Sequence, residues 1–239
     1  MPDLLTTMAA YADSSSWAVW GPDPHPRAEF TKDSDLSFPP DHVAHGLVHA
    51  DVLLVALNPG IAAAGHVRTP WHNFHAGPRH RDHSLAEACR GTRLWGAYMT
   101  DVHPDITEGD STRVSTGADL VRAAVESLAR QIELLGARDP VIVALGHSSD
   151  PSPRNASTYR RLMNHVDVLA QVGVTPERIV GVYHYSPTAV GHYKHEPGER
   201  VEQRYRAHVH RRLAEAGLAE LLTPNVADGA PGGREGGTP

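Results

Sequence analysis

Four short stretches of this chain put polar side chains directly after apolar runs: Asn58-Pro59-Gly60, Thr100-Asp101, Gly146-His147-Ser148 and His184-Tyr185-Ser186-Pro187. An amide can donate and accept, an ionised carboxylate only accepts, and an imidazole does either according to its tautomer. Gathered at one place, such groups can orient a water, hold a polar ligand and stabilise charge that develops on it. Each stretch also has a plain structural use. Asn-Pro-Gly is a common turn, Asp101 can cap the turn before His103-Pro104, and a strand-end histidine can be satisfied by backbone. Recurrence is the stronger signal, because polar ends from separate runs meet along one edge when the runs are parallel neighbours.

The elements that must position these groups follow from the apolar pattern. Asp51 to Leu57, Leu94 to Asp101, Pro140 to Gly146 and Arg178 to Tyr183 read as buried strands, near-continuous in apolar residues as parallel strands covered on both faces are. Helical periods alternate with them at Ser84–Arg90, Gly117–Leu135, Asn155–Val172 and Pro197–Leu222, and Ser84 with Glu87 has capping-box spacing. Strands alternating with helices imply right-handed crossovers. The expected fold class is α/β, a three-layer α/β/α sandwich with a mainly parallel central four-stranded sheet. Ligand sites in such sheets lie beyond the carboxyl ends of the strands, which is where the four polar stretches fall.

Residues 1–45 read as an N-terminal helix followed, after the break Ser14-Ser15-Ser16, by a proline-rich arm. Trp17, Trp20, Phe30 and Phe38 would anchor it to the core. Residues 46–222 form the expected catalytic domain, and 223–239, rich in Gly and Pro with no apolar period, an expected disordered tail. The long loop from Ile61 to Arg81 carries Trp71, Phe74 and four histidines, and loops of that length are commonly functional or disordered.

Of 239 residues, 40% are hydrophobic and 21% charged, and no apolar stretch reaches the length of a membrane span. Met1 to Asp13 lacks the basic start and apolar core of a signal peptide. A single cysteine, Cys89, excludes an internal disulfide and a cysteine-held iron–sulfur cluster within one chain, so a cytoplasmic setting is expected. The formal charge of −6 argues against coating nucleic acid by bulk electrostatics but leaves room for a local basic groove.

Leu57-Asn58-Pro59-Gly60 resembles the first motif of the mismatch-specific uracil/thymine branch of the uracil-DNA glycosylase superfamily. His184-Tyr185-Ser186-Pro187 resembles that superfamily's second, His-Pro-Ser-Pro-type motif. Between them, Gly96 to Asp101 is similar to the strand carrying the base-reading residue and Val141 to Gly146 to the penultimate core strand. The resemblance covers roughly residues 50 to 215. It implies a monofunctional DNA glycosylase, monomeric and acting on DNA, with no metal, cofactor or lysine nucleophile.

In that chemistry positive charge develops on the sugar and negative charge on the departing base. The resemblance implies Asn58 and His184 as the catalytic pair. The carbonyl oxygen of Asn58 would orient a water beneath the anomeric carbon, and a ring N–H of neutral His184 would donate to the base. Phe74 would stack on the extruded base, with Trp71 as a substitute and core filling as the plain alternative. Leu57, Tyr185 and Ser186 would line the base. Gly60, Ser148, Val190, Tyr193 and Lys194 would meet the DNA backbone or act as the wedge, with His192 also available. Lys194, Arg200, Arg204, Arg206, Arg79 and Arg81 could contact phosphates, although a solvated charge is the ordinary role of each.

Asp101 stands where the uracil enzymes have asparagine. An accept-only carboxylate suits the exocyclic amine of cytosine and repels a carbonyl oxygen, so a cytosine-type modified base is expected over plain uracil. A one-residue slip would give this place to Thr100. Tyr185 replaces the usual proline, and Thr188-Ala189-Val190 replaces the bulky wedge, which weakens the expectation of duplex base flipping. Modified cytosines of phage DNA suggest defence, and uracil or thymine mismatch repair is the alternative. Two further readings compete. His72, His75, His80, His83, His192 and His195 could serve a metal-dependent hydrolase, though no HExxH pattern accompanies them, and a glycosylase-like fold could act as a non-enzymatic binder.

Overall fold

The computed structural model describes residues 3–59, 69–75, 80–106, 108, 113–114, 117–147 and 157–224. Gly60, Arg79, Ser148, much of the 61–81 loop and residues 225–239 of the expected tail lie outside them. In chain order the elements that matter are α1 (Leu4–Thr7), β1 (Ser16–Trp17), α2 (Asp41–Ala44), β2 (His49–Ala56) and α3 (Asp82–Cys89). There follow β3 (Ala97–Asp101), α4 (Ala118–Leu135), β4 (Val141–Leu145), α5 (Thr158–Asn164), α6 (Val166–Leu169), β5 (Ile179–Val182) and α7 (Val201–Glu215).

Among the described residues five strands form one sheet in the order β1-β3-β2-β4-β5. β2, β3, β4 and β5 are parallel, as the buried apolar runs require, and β1 pairs antiparallel with β3. The expectation of four strands is corrected by β1. The serines before Trp17 looked like a break, yet Ser16 and Trp17 pair with Met99 and Tyr98. Ser15 is satisfied across the strands, accepting from the Tyr98 hydroxyl at 2.8 Å and donating to Thr100 Oγ1 at 3.2 Å. The arm is therefore built into the sheet.

Side chains alternate across β2. Val52, Leu54 and Ala56 join a buried cluster with residues of α3 and α7, while Leu53 and Val55 join another with α4, α5 and α6. The chain after β2 thus leads to a helix on one face and the chain after its neighbour β4 to a helix on the other, which places a topological switch at the carboxyl end of β2.

Other boundaries moved for local reasons. α3 starts at Asp82, with Arg81 at φ 60° before it, so Ser84 lies inside the helix and its hydroxyl has no partner among the described residues. Glu87 turns away from the expected capping box to accept from the Phe30 N–H at 2.9 Å and pair with Arg90. The expected 155–172 helix is interrupted at His165, and that expected from 197 runs only over 201–215. β3 begins after Gly96, where φ is +88° and a Cβ would lie 2.0 Å from the Leu47 carbonyl oxygen, so only glycine allows that approach. The outer edge of β5 is closed by α7: Arg212 Nε donates to Gly181 O at 3.1 Å and His208 Nε2 accepts from the Tyr183 N–H at 3.1 Å.

Candidate active site

Asn58 follows β2 and is half-buried. The segment after β3 runs beside it, with Val102 and His103 N–H groups bonded to Ala56 O and Leu57 O, each at 2.9 Å. This brings two more carbonyls to the asparagine. Its Nδ2 donates to Pro59 O at 2.9 Å, Ile106 O at 3.1 Å and Glu108 O at 2.8 Å. Three carbonyl acceptors admit only the NH2 end of an amide, so its rotation is fixed. Oδ1 makes no hydrogen bond to the described residues and is the end available to accept.

His184 follows β5, on the same edge of the sheet because β2, β4 and β5 are parallel. Two strand spacings of about 4.8 Å separate the ends of β2 and β5, with β4 between them. Nδ1 of His184 accepts from the backbone N–H of Ser186 at 3.0 Å, so the ring proton sits on Nε2. Burial pushes the imidazole down to about 4, and it is a neutral donor at ordinary pH. Its ring stacks on Tyr185 with centroids 4.4 Å apart.

Tyr185 is buried, and the Asp82 carboxylate at the start of α3 is among the groups that act on its phenol. Burial, then the Asp82 charge, pushes the phenol well above its ordinary range, with Tyr205 and Asp101 adding to it. Asp101 is thus within electrostatic reach of the residue next to His184. The Asp101 side chain is 2% exposed, and its Oδ2 accepts from Asn73 Nδ2 at 2.9 Å. Thr100 does not compete for this place. Its hydroxyl faces Ser15 and donates to Gln131 Oε1 at 3.1 Å on the opposite face.

The remaining expected residues fall into three groups. Leu57 is buried, and Ser186 is half-buried with its hydroxyl 3.0 Å from Thr188 Oγ1. Phe74 is 8% exposed at φ 66°, its carbonyl accepting from Trp20 Nε1 at 3.1 Å, so its ring is largely part of the core shared with Tyr185. Trp71 packs against Trp17 in the other cluster and is no substitute for it. Lys194 is exposed and Val190 half-buried on the turn Pro187–His192.

Tyr193 is corrected as a wedge: it is 1% exposed, packed against Tyr205 and His208, and cannot reach a duplex from there. Arg206 is corrected as a phosphate contact, since it donates to Glu87 O and Arg90 O at 2.7 Å each. Arg200 pairs with Glu29. His192, exposed and stacked 4.5 Å from Tyr183, and Lys194 are the surface groups beside the site.

The histidines do not converge. His75 Nδ1 lies 2.8 Å from Leu36 O and its ring 6.3 Å from that of His72, while His83 pairs with Glu202 at 3.2 Å. Among the described residues no three His, Cys, Asp or Glu side chains are arranged to hold a metal ion. No described helix is long and apolar enough to cross a membrane.

Sequence reasoning missed Asn73, Asp82 and Arg161. Arg161 is 2% exposed and donates to Val114 O at 3.1 Å, with Nη1 2.9 Å from Nε2 of His103. Burial and this guanidinium hold His103 down at about 4. Asn73 had a signal in the aromatic-rich segment around it, whereas Asp82 and Arg161 look like ordinary helix-surface charges. Comparison of the chain with protein-family models, curated proteins and solved structures gave no match.

Proposed function

We propose that this chain is a monofunctional DNA glycosylase, similar in plan to the uracil-DNA glycosylase superfamily, that hydrolyses the N-glycosidic bond of a flipped-out pyrimidine and leaves an abasic site. The helices on the two faces of the sheet fit a three-layer α/β/α sandwich. In this reading the protein is a cytoplasmic monomer acting on DNA without metal or other cofactor. Oδ1 of Asn58 orients a water at the anomeric carbon, the carbon–nitrogen bond breaks with its electron pair passing to the base, and Nε2–H of His184 donates a hydrogen bond to the oxygen where that charge collects; the water oxygen then bonds to the anomeric carbon and gives up a proton, which the departed base anion takes up. Asp101 accepts from the exocyclic amine of a cytosine-type base. Phage DNA with modified cytosine is the substrate this favours, and defence the corresponding role.

The supporting observation is the pair of fixed orientations on one sheet edge: an amide whose NH2 end is occupied by three carbonyls, and an imidazole whose Nδ1 is occupied by a backbone N–H. The test is release of free base from duplexes carrying uracil, a thymine mismatch, cytosine, and hydroxymethylated or glucosylated cytosine. Base release by the native chain, abolished in a folded Asn58→Ala variant, is expected. Full activity in that variant would reject the mechanism.

A further inference from the structure

The segment Trp71 to His75 is held in an unusual backbone conformation by the N-terminal arm. Trp71 and Phe74 have φ of 62° and 66°, in the left-handed region that bulky side chains rarely adopt. Five arm groups hold the segment in place. Trp71 N–H donates to Ala12 O at 2.8 Å, Ser16 Oγ donates to Trp71 O at 2.5 Å, and Trp20 Nε1 to Phe74 O at 3.1 Å. His75 Nδ1 lies 2.8 Å from Leu36 O, and Asn73 Nδ2 donates to Ser14 O at 2.8 Å. The second N–H of that amide is the one that reaches Asp101 Oδ2. β1 lies against β3, so the Ser14 carbonyl is carried to the end of the strand that bears Asp101.

We propose that Asn73 is a positioning residue for Asp101: with one amide N–H tied to the arm at Ser14, the other fixes the carboxylate's rotation and keeps it an acceptor, so the arm sets base preference. This deepens the proposed function and rests on it for the word base. A donor on the carboxylate favours the ionised form. The neighbouring groups pull both ways. Asp82 and the Tyr185 phenol lie on one side, and His103 with the Arg161 guanidinium starts the segment leaving β3. Asn73 contacts Asp101 directly, as a neutral donor.

The test uses the full chain with 13C-labelled aspartate, the Asp101 carboxyl signal being assigned with Asp101→Asn. Asn73→Ala is expected to raise the Asp101 titration midpoint by about one pH unit, a tenfold change in its proton affinity. It should also reduce the rate ratio of cytosine-type to uracil release about tenfold. An unmoved midpoint, or a moved midpoint with an unchanged ratio, overturns the proposal. If Asn73→Ala does not fold, the native protein decides: the Asn73 side-chain N–H signals must shift with the same midpoint as the Asp101 carboxyl, and static signals overturn it. If the native chain releases no base, the glycosylase reading fails, while the carboxyl titration still decides whether Asn73 controls Asp101.

Discussion

The backbone N–H of Ser186 donates to Nδ1 of His184 at 3.0 Å, and this contact decides what the imidazole can do. With Nδ1 occupied as an acceptor, the neutral ring presents Nε2–H. Ser186 has φ −58° and ψ 157°, which proline can adopt, so Ser186→Pro deletes the N–H with little change in its backbone. Loss of one such bond is worth about 0.5–1.5 kcal/mol, and base release should fall up to about tenfold. His184→Ala, which removes the donor, should cost about 10²–10³ in kcat. Equal rates for the native chain and Ser186→Pro would show that the tautomer does not matter.

Asn58 makes a different demand, because three carbonyl oxygens face its nitrogen. Asn58→Asp would turn a carboxylate oxygen toward them, which repels, whereas Asn58→Ala only removes the donor. Both variants should lose activity. Thermal melting should rank Asn58→Asp below Asn58→Ala, by about 1–3 kcal/mol for an unsatisfied buried group. The reverse order would mean that the amide is not held as described.

Asp101→Asn should move base preference toward uracil, since an amide can donate to a carbonyl oxygen where a carboxylate repels it. The Asn73 donor would then face either end of the new amide, and the favoured rotamer puts the oxygen toward Asn73. Competition between uracil- and cytosine-containing duplexes reads this out. An unchanged ratio removes Asp101 from base selection.

Four histidines, His75, His103, His184 and His208, are each pushed down to about 4, chiefly by burial. In the unfolded chain they would take up protons near pH 6.5. Between those values the unfolded state binds more protons, so their contribution to stability is fully present above about pH 6.5 and is lost as pH falls toward 4. Melting temperature should drop steeply over that window. Activity should stay level from pH 8 to about 5.5 and then fall with unfolding. A kinetic limb near 6.5 with unchanged circular dichroism would mean that His184 is not the neutral donor assigned here.

The parallel strands were legible because burial on both faces writes a continuous apolar run into 52–56, 97–99, 141–145 and 179–182. Their polar ends were legible for the same reason, since the run stops there. β1 was not, because two residues carry no period and Ser15, just before it, is satisfied by Tyr98 and Thr100, more than eighty positions away. The link from Asn73 to Asp101 and the burial of Arg161 were equally hidden. Each rests on a partner distant in sequence, and local spacing says nothing about such partners. Tyr193 misled in the opposite direction, because a tyrosine beside His192 and Lys194 looks exposed until α7 covers it.

That burial gives the last prediction. The Tyr193 hydroxyl is buried without a hydrogen-bond partner among the described residues, and burial pushes the phenol up to about 12. A buried polar group without a partner costs stability, so deleting it should not hurt. Tyr193→Phe keeps the ring against Tyr205 and His208, and should be neutral or up to about 1 kcal/mol more stable, with base release unchanged. Tyr185→Phe is the contrasting case: it removes the polar end of a ring that Asp82 acts on, and should destabilise by about 0.5–1.5 kcal/mol. Equilibrium unfolding in urea separates the two. If Tyr193→Phe lost activity while remaining as stable as the native chain, the hydroxyl would have a role at the DNA after all, and the turn from Pro187 to His192 would have to open to expose it.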